Sequence, residues 1–267
     1  MANKIEKNNW KVYWRLGESS GLQLYLTEYK SRRFIWEASL PYVTIDHQGT
    51  SLDVGDESHT KVHGPFWCPL GTRTQVSEVR VDEFRDGFEL LVDFASGPYE
   101  YTQMWRFHKD GRLTPWLTLH GPGVHDGQTY HPHWRFDFDV GGPADDSVEY
   151  YDEGKWQRLG QEGWLPYSGQ ADKRGFVWRQ RDTRSKARVA IRPDGLEQAE
   201  LFAIRRLGGD GAPFSPRTQG GPQPFPASYG GSAPLKKEDV ALWYVAHVPH
   251  TEAGTRTVGP RLKCENF

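Results

Sequence analysis

The sequence predicts an all-β protein of mostly antiparallel strands, and three observations predict it. Short runs rich in Val, Ile, Trp, Tyr and Phe recur along the chain. Turn-forming Gly, Pro and Asp punctuate them, as in Arg85-Asp86-Gly87, Lys109-Asp110-Gly111 and Pro193-Asp194-Gly195. Aromatic residues make up 13% of the 267 residues, with eleven tryptophans, and large rings suit pleated, half-buried surfaces. This is the pattern of hairpin-connected strands in a sandwich or barrel.

The predicted strands follow in order: Trp10 to Leu16, Leu22 to Tyr29, Phe34 to Ser39, Phe88 to Phe94, Tyr101 to Phe107, His131 to Val140 and Val240 to Val248. Leu196 to Arg206 is the best helix candidate, although its apolar residues also fit a strand. Leu207 to Pro234 is dominated by Gly, Pro and Ser and reads as one long loop, a flexible insertion or an arm across a partner or active site. No repeat and no domain boundary is evident, so residues 1–267 are expected to form a single domain.

Charge excludes some partners. Lys plus Arg number 33 and Asp plus Glu 35, a formal net charge of −2, which gives no electrostatic reason to expect nucleic acid or an anionic membrane. No apolar run approaches the roughly 20 residues that span a bilayer. Met1 to Lys7 lacks the apolar stretch of a signal peptide, so the expected location is cytoplasmic. Cys68 and Cys264 are then expected as free thiols.

His131-Pro132-His133 is the sharpest local motif. Residues i and i+2 of a strand project from one face, so the two imidazoles point to one side at a separation that one metal can bridge. The strand continues with clean alternation. Pro132, Trp134, Phe136, Phe138 and Val140 form an apolar face, and His131, His133, Arg135, Asp137 and Asp139 form a polar one. An isolated His-x-His is more often a polar face than a metal site. A mononuclear site usually takes three or more protein ligands. His247 and His250 are the candidates for a third; three apart on a strand, they face opposite ways.

Taken in order, these segments resemble the catalytic domain of the copper amine oxidases. That family carries a His-x-His pair, then an Arg-x-Asp-x-Asp strand, here Arg135-Phe136-Asp137-Phe138-Asp139, with a few residues missing between the two parts. Asp239-Val240-Ala241-Leu242-Trp243 resembles the family's strand that leads to the third copper ligand. Reading on from it without a gap reaches His250, with His247 as second choice. Gly97-Pro98-Tyr99-Glu100-Tyr101, followed by Trp105, Phe107 and Asp110-Gly111, resembles the segment whose first tyrosine, here Tyr99, becomes topaquinone. Ser51-Leu52-Asp53-Val54-Gly55-Asp56 resembles the segment of the catalytic base and places it on Asp53. Trp10 to Tyr29, Arg33 to Leu40 and Val258 to Lys263 resemble further family segments. The family's small N-terminal domains have no counterpart.

The resemblance implies a β-sandwich holding copper on His131, His133 and His250, with Tyr99 as the quinone precursor and Asp53 as general base. It implies oxidative deamination of a small primary amine to an aldehyde with dioxygen. It also implies a homodimer and a structural calcium ion held by Asp137, Asp139 and Asp239. Two departures bear on the quinone. The asparagine that helps to orient it is replaced by Pro98, which lacks an N–H and a polar side chain, and a tyrosine that contacts it aligns with His47. Two other readings stay open: a quinone-free metal-dependent oxidase, oxygenase or lyase using Cu, Zn, Ni or Fe, and a non-catalytic metal-binding sandwich.

Overall fold

The structure is a computed structural model that describes residues 3–17, 21–47, 60–63, 75–96, 99–120, 128–142, 146–167, 169–194, 198–206, 233–236, 238–250 and 254–267. The strands are β1 (Asn3–Lys7), β2 (Trp10–Gly17), β3 (Gly21–Tyr29), β4 (Arg32–His47), β5 (Thr60–His63), β6 (Gln75–Val76) and β7 (Arg80–Phe84). Then come β8 (Gly87–Ser96), β9 (Tyr99–His108), β10 (Arg112–His120), β11 (Gln128–Phe138), β12 (Asp146–Asp152), β13 (Lys155–Arg158) and β14 (Gly163–Pro166). The last are β15 (Trp178–Asp182), β16 (Arg188–Pro193), β17 (Gln198–Arg205), β18 (Val240–His250), β19 (Arg256–Val258) and β20 (Pro260–Glu265).

These strands form two antiparallel sheets packed as a sandwich. The first runs β1-β2-β3-β4-β11-β18-β17-β14, with β5 beside β4; the second runs β13-β12-β15-β16-β20-β10-β9-β8-β6, with β7 on β8 and β19 on β10. All seven predicted strands are present. The helix candidate is not: Gln198 to Arg205 is the strand β17. Ala199, Leu201 and Ala203 enter the main core from one face of β17, while Phe202 and Ile204 are buried on the other. Burial on both faces erases the alternation that marks a strand in sequence.

Two of the predicted turns close hairpins. Arg85-Asp86-Gly87 joins β7 to β8, and Lys109-Asp110-Gly111 joins β9 to β10 with Gly111 N–H donating to His108 O at 3.0 Å. Gly111 has φ +84°, and a Cβ there would lie 2.7 Å from the Tyr29 ring, so both the turn and the packing require glycine.

The core lies between the sheets. Trp134, Phe136 and Phe138 of β11 and Leu242, Tyr244 and Ala246 of β18 face it from the first sheet, and Trp105 and Phe107 of β9 face it from the second. The Trp105 and Phe136 rings meet edge to face with centroids 6.4 Å apart. Hydrogen bonds tie the sheets as well. Trp105 Nε1–H donates to Leu22 O at 2.9 Å, and the buried Gln103 amide both donates to Leu22 O (3.0 Å) and accepts from Leu22 N–H (2.9 Å). Each inward polar group of this pair therefore finds a partner. Cys264 is a buried free thiol, and burial pushes its pKa up, so it is unreactive; Cys68 lies outside the described residues.

One inward carboxyl is less well served. Asp146 accepts from Gln180 Nε2–H at 2.6 Å, but its other oxygen has no hydrogen-bond partner among the described residues. Burial lifts its pKa to about 7, and the carboxylates of Asp182, Asp139 and Asp239 push the same way. The folded state thus holds this proton more tightly than the unfolded chain, whose pKa is near the ordinary 3.8. This group therefore subtracts stability as pH rises from about 4 to 7, and the cost is fully present above 7. Asp146→Asn is expected to melt higher than the parent at pH 8, by roughly 2 kcal/mol of stability, and the gain is expected to vanish at pH 4. Thermal unfolding across that range checks it.

Candidate metal centre

The first sheet also has an outer face, and the polar residues of β11 lie on it. The predicted alternation holds: Trp134 and Phe136 point inward, so His131, His133, Arg135 and Asp137 point outward. The pairing of β11 with β18 runs without a shift, Gln128 opposite His250, Tyr130 opposite Val248 and His133 opposite Val245. This register sets His247 directly across from His131 on the outer face.

The side chains meet. Nδ1 of His131 lies 2.7 Å from Nδ1 of His247, with ring centroids 4.9 Å apart and planes at 72°. Two imidazole nitrogens at this distance repel unless one carries a proton or a cation lies between them. His133 is the third member. Burial, with smaller contributions from His131 and His247, lowers its pKa to about 3. It is therefore neutral at physiological pH, the form in which imidazole binds metals. His131 and His133 are only 4% and 5% exposed, while the His247 side chain is 20% exposed.

The donor chemistry suits copper or another borderline metal, since buried neutral imidazoles bind Cu and Zn alike. Among the described residues, no group of three or more His, Cys, Asp or Glu side chains is arranged to hold a metal ion. His250 sits opposite Gln128 at the end of β18, and its side chain lies outside those described. The same is true of the Tyr99 and His47 side chains, while Asp53 and Pro98 lie wholly outside the described residues.

The backbone of Tyr99 begins β9, paired with Ser96. The residues that alternate with it, Tyr101, Gln103, Trp105 and Phe107, are all 3% exposed or less and point into the core. They meet the Trp134 and Phe136 side of β11, opposite to its imidazoles.

Further along the same outer face, Asp137 and Asp239, expected to share a calcium ion, are bridged by an arginine. This is Arg206: its Nε lies 2.9 Å from Asp137 Oδ2 and its Nη1 lies 3.3 Å from Asp239 Oδ2. Arg135 adds a contact of 3.7 Å to Asp137, and Arg33 pairs with Asp139 at 3.3 Å. A divalent cation among three guanidinium groups meets like-charge repulsion, so these residues do not fit one. Burial still raises Asp137 to about 7 against the pull of Arg135 and Arg206.

Sequence reasoning missed the surroundings of the imidazoles. On β18 and β17 the outer face carries Ala241, Trp243, Phe202 and Ile204, all at most 2% exposed, with Trp164 of β14 stacked on Phe202 at 4.9 Å. Glu200 of β17 stands beyond them, with Oε2 3.8 Å from His247 Nε2. The signal for His247 was present in the spacing. Ala241 and His247 are six apart on one unbroken strand and so share a face, as do Asp137 and His133 on the adjacent one.

The fold is similar to that of copper amine oxidases of known structure. The chain matches a copper-containing benzylamine oxidase of Hansenula polymorpha with TM-score 0.73 at 11% identity, covering 100% of this chain and 60% of that one. It matches a lysyl oxidase of Pichia pastoris with TM-score 0.68 at 12% identity (99% and 52% of the two chains). An amine oxidase of Aspergillus nidulans gives 0.64 at 12% identity (97% and 50%). The likeness is one of fold. This chain spans about half to three fifths of the length of these proteins. No protein-family profile matches the chain, and no curated protein sequence does.

Proposed function

We propose that the chain is a copper-dependent oxidase of the amine-oxidase type, acting on a small primary amine with dioxygen. The observation that carries this reading is the pair of imidazole nitrogens 2.7 Å apart on adjacent strands, in a sheet of amine-oxidase topology. His131, His133 and a histidine of β18, either His247 or His250, would hold the ion. Bound copper would supply redox chemistry, and a quinone derived from Tyr99 would supply an electrophilic carbonyl. The chain's own work is then positional. Burial shields His131 and His133 from water, and the aromatic row of Trp243, Phe202 and Trp164 offers an apolar wall beside them. Asp53 would take the α-proton, which requires a pKa lifted by burial. Assembly as a homodimer belongs to the same reading.

A second reading keeps the metal and omits the quinone, and the facing of β9 favours it. The described residues that alternate with position 99 along β9 address the core, on the side of β11 opposite its imidazoles. Pro98 points the same way. Tyr99→Phe separates the two. Under the first reading the copper-loaded parent shows a visible quinone band and releases peroxide with primary amines, and the variant loses both. A parent without the band, and a Tyr99→Phe variant with full metal-dependent turnover, would establish the second.

A further inference from the structure

We propose that the outer face of the second sheet binds an extended acidic segment of a partner protein, laid across a row of arginine and lysine side chains. The imidazoles lie on the outer face of the other sheet, so this role is separate from any metal chemistry.

Strand register builds the row. Arg158 of β13 stands opposite Glu149 of β12, and Glu149 opposite Arg179 of β15. Arg179 stands opposite Ala190 of β16, Ala190 opposite Lys263 of β20, and Lys263 opposite Arg112 of β10. Directly opposed residues share a face. Val148, Trp178, Val189 and Leu262, which alternate with them, lie in the core, so the row faces outward. With neighbouring strands about 4.8 Å apart, it runs roughly 24 Å across the sheet. Arg181 and Arg188 oppose each other two residues along the same face, and Arg192 and Arg261 do so on the other side of the row.

The carboxylates here do not balance these cations. Glu149 is shared by Arg179 and Arg181, Glu265 by Arg188 and Arg174, and Asp110 by Arg112 and Lys263. The two glutamates are 12% and 10% exposed, while Arg181 and Arg188 are 31% and 25% exposed, so negative charge lies beneath positive. Arg181 approaches Glu149 Oε1 only to 3.8 Å, beyond hydrogen-bond length, and its Nε has no partner among the described residues. A chain of net charge −2 thus gathers an excess of cations on one face.

The form of the face selects the partner. A row of cations rewards a ligand that carries several anionic groups in line. An extended segment rich in Asp and Glu presents carboxylates to one side every roughly 7 Å, and guanidinium forks match carboxylates bidentately. Arginine clusters recognise acidic motifs in this way. A single-stranded nucleic acid needs open aromatic platforms, but guanidinium groups cover the rings here: Arg179 lies 4.1 Å from the Trp156 centroid and Arg106 lies 5.0 Å from that of Trp116. A membrane surface needs apolar anchors beside the charges, and the exposed large apolar residues among those described, Leu16, Trp36, Val81 and Tyr167, all lie on other segments.

The test is fluorescence anisotropy of a labelled peptide of about ten glutamates with the full chain at low ionic strength, where such contacts are least screened. Saturable binding is expected. Arg158 is exposed and Arg181 is held by no hydrogen bond among the described residues, so Arg158→Gln with Arg181→Gln is expected to keep the fold, as circular dichroism verifies. Affinity is expected to fall roughly 5–20-fold in that double variant. Lys4→Gln, an exposed change on the first sheet, is expected to leave affinity unchanged. If the double variant does not fold, Arg158→Gln alone is expected to weaken binding in the same direction. No saturable binding by the folded parent overturns the proposal, as does a loss in Lys4→Gln equal to that in the arginine variants. Single-stranded DNA or anionic vesicles that bind more tightly than the peptide through Arg158 and Arg181 overturn the acidic segment as partner.

Discussion

His131→Ala is expected to abolish stoichiometric copper binding, and His133→Ala to do the same. Changes that merely touch a ligand's partner cost about 10–100-fold in affinity, so removal of a ligand itself should exceed about 100-fold. The two substitutions differ in their side effects. His131 makes the 2.7 Å contact with His247, so its loss frees that ring and leaves the β18 histidine poorly oriented. His133 is buried and neutral without any ion, so its replacement also opens a cavity. Copper content by elemental analysis after gel filtration, with circular dichroism to verify folding, checks both. Copper retained at one equivalent in both variants would remove the centre from this face.

Trp105→Ala is expected to be the most destabilising single change in the core. The residue is fully buried, packs edge-on against Phe136 of the other sheet and donates its indole N–H to Leu22 O. Truncation of a buried tryptophan costs about 3–5 kcal/mol, which for a chain of this size lowers the melting temperature by roughly 10 °C or more. The neighbouring Gln103 still donates to Leu22 O, so the carbonyl keeps one partner and the loss is mainly of packing. Equilibrium unfolding in urea is the direct measurement. A loss under about 1 kcal/mol would mean that the two sheets are not held together here.

The legible parts of the fold share one physical property. β2, β8 and β9 each bury one face more than the other, and β11, though buried on both faces, keeps polar side chains on its outer one, so apolar and polar residues alternate and the strand can be read from the sequence. β17 and β18 are buried on both faces, by Leu201 and Tyr244 toward the core and by Phe202 and Trp243 away from it. β18 was still recognisable from its β-branched and aromatic residues, but β17 was not distinguishable from a helix. The site was legible to the same extent. His131 and His133 needed only the two-residue period of a strand. The partner across from His131 depended on the register between β11 and β18, which no local pattern contains. A motif anchor leads to His250, while the register brings His247 to the contact. Arg206 was invisible for a related reason: it reaches Asp137 from the end of β17, two strands away.

The strand order has a kinetic consequence for the centre. β2, β3 and β4 pair as successive hairpins, as do β8, β9 and β10, and such local contacts close quickly. β11 has no sequence-adjacent partner. It sits between β4 and β18, and its His131 meets a histidine 116 residues further along the chain. Closing so long a segment is entropically costly and comes after the hairpins. During synthesis the imidazoles of β11 emerge well before the strand that completes the set. The imidazoles therefore gather only when β18 docks, and under the proposed function ion uptake follows closure of the sheet rather than guiding it.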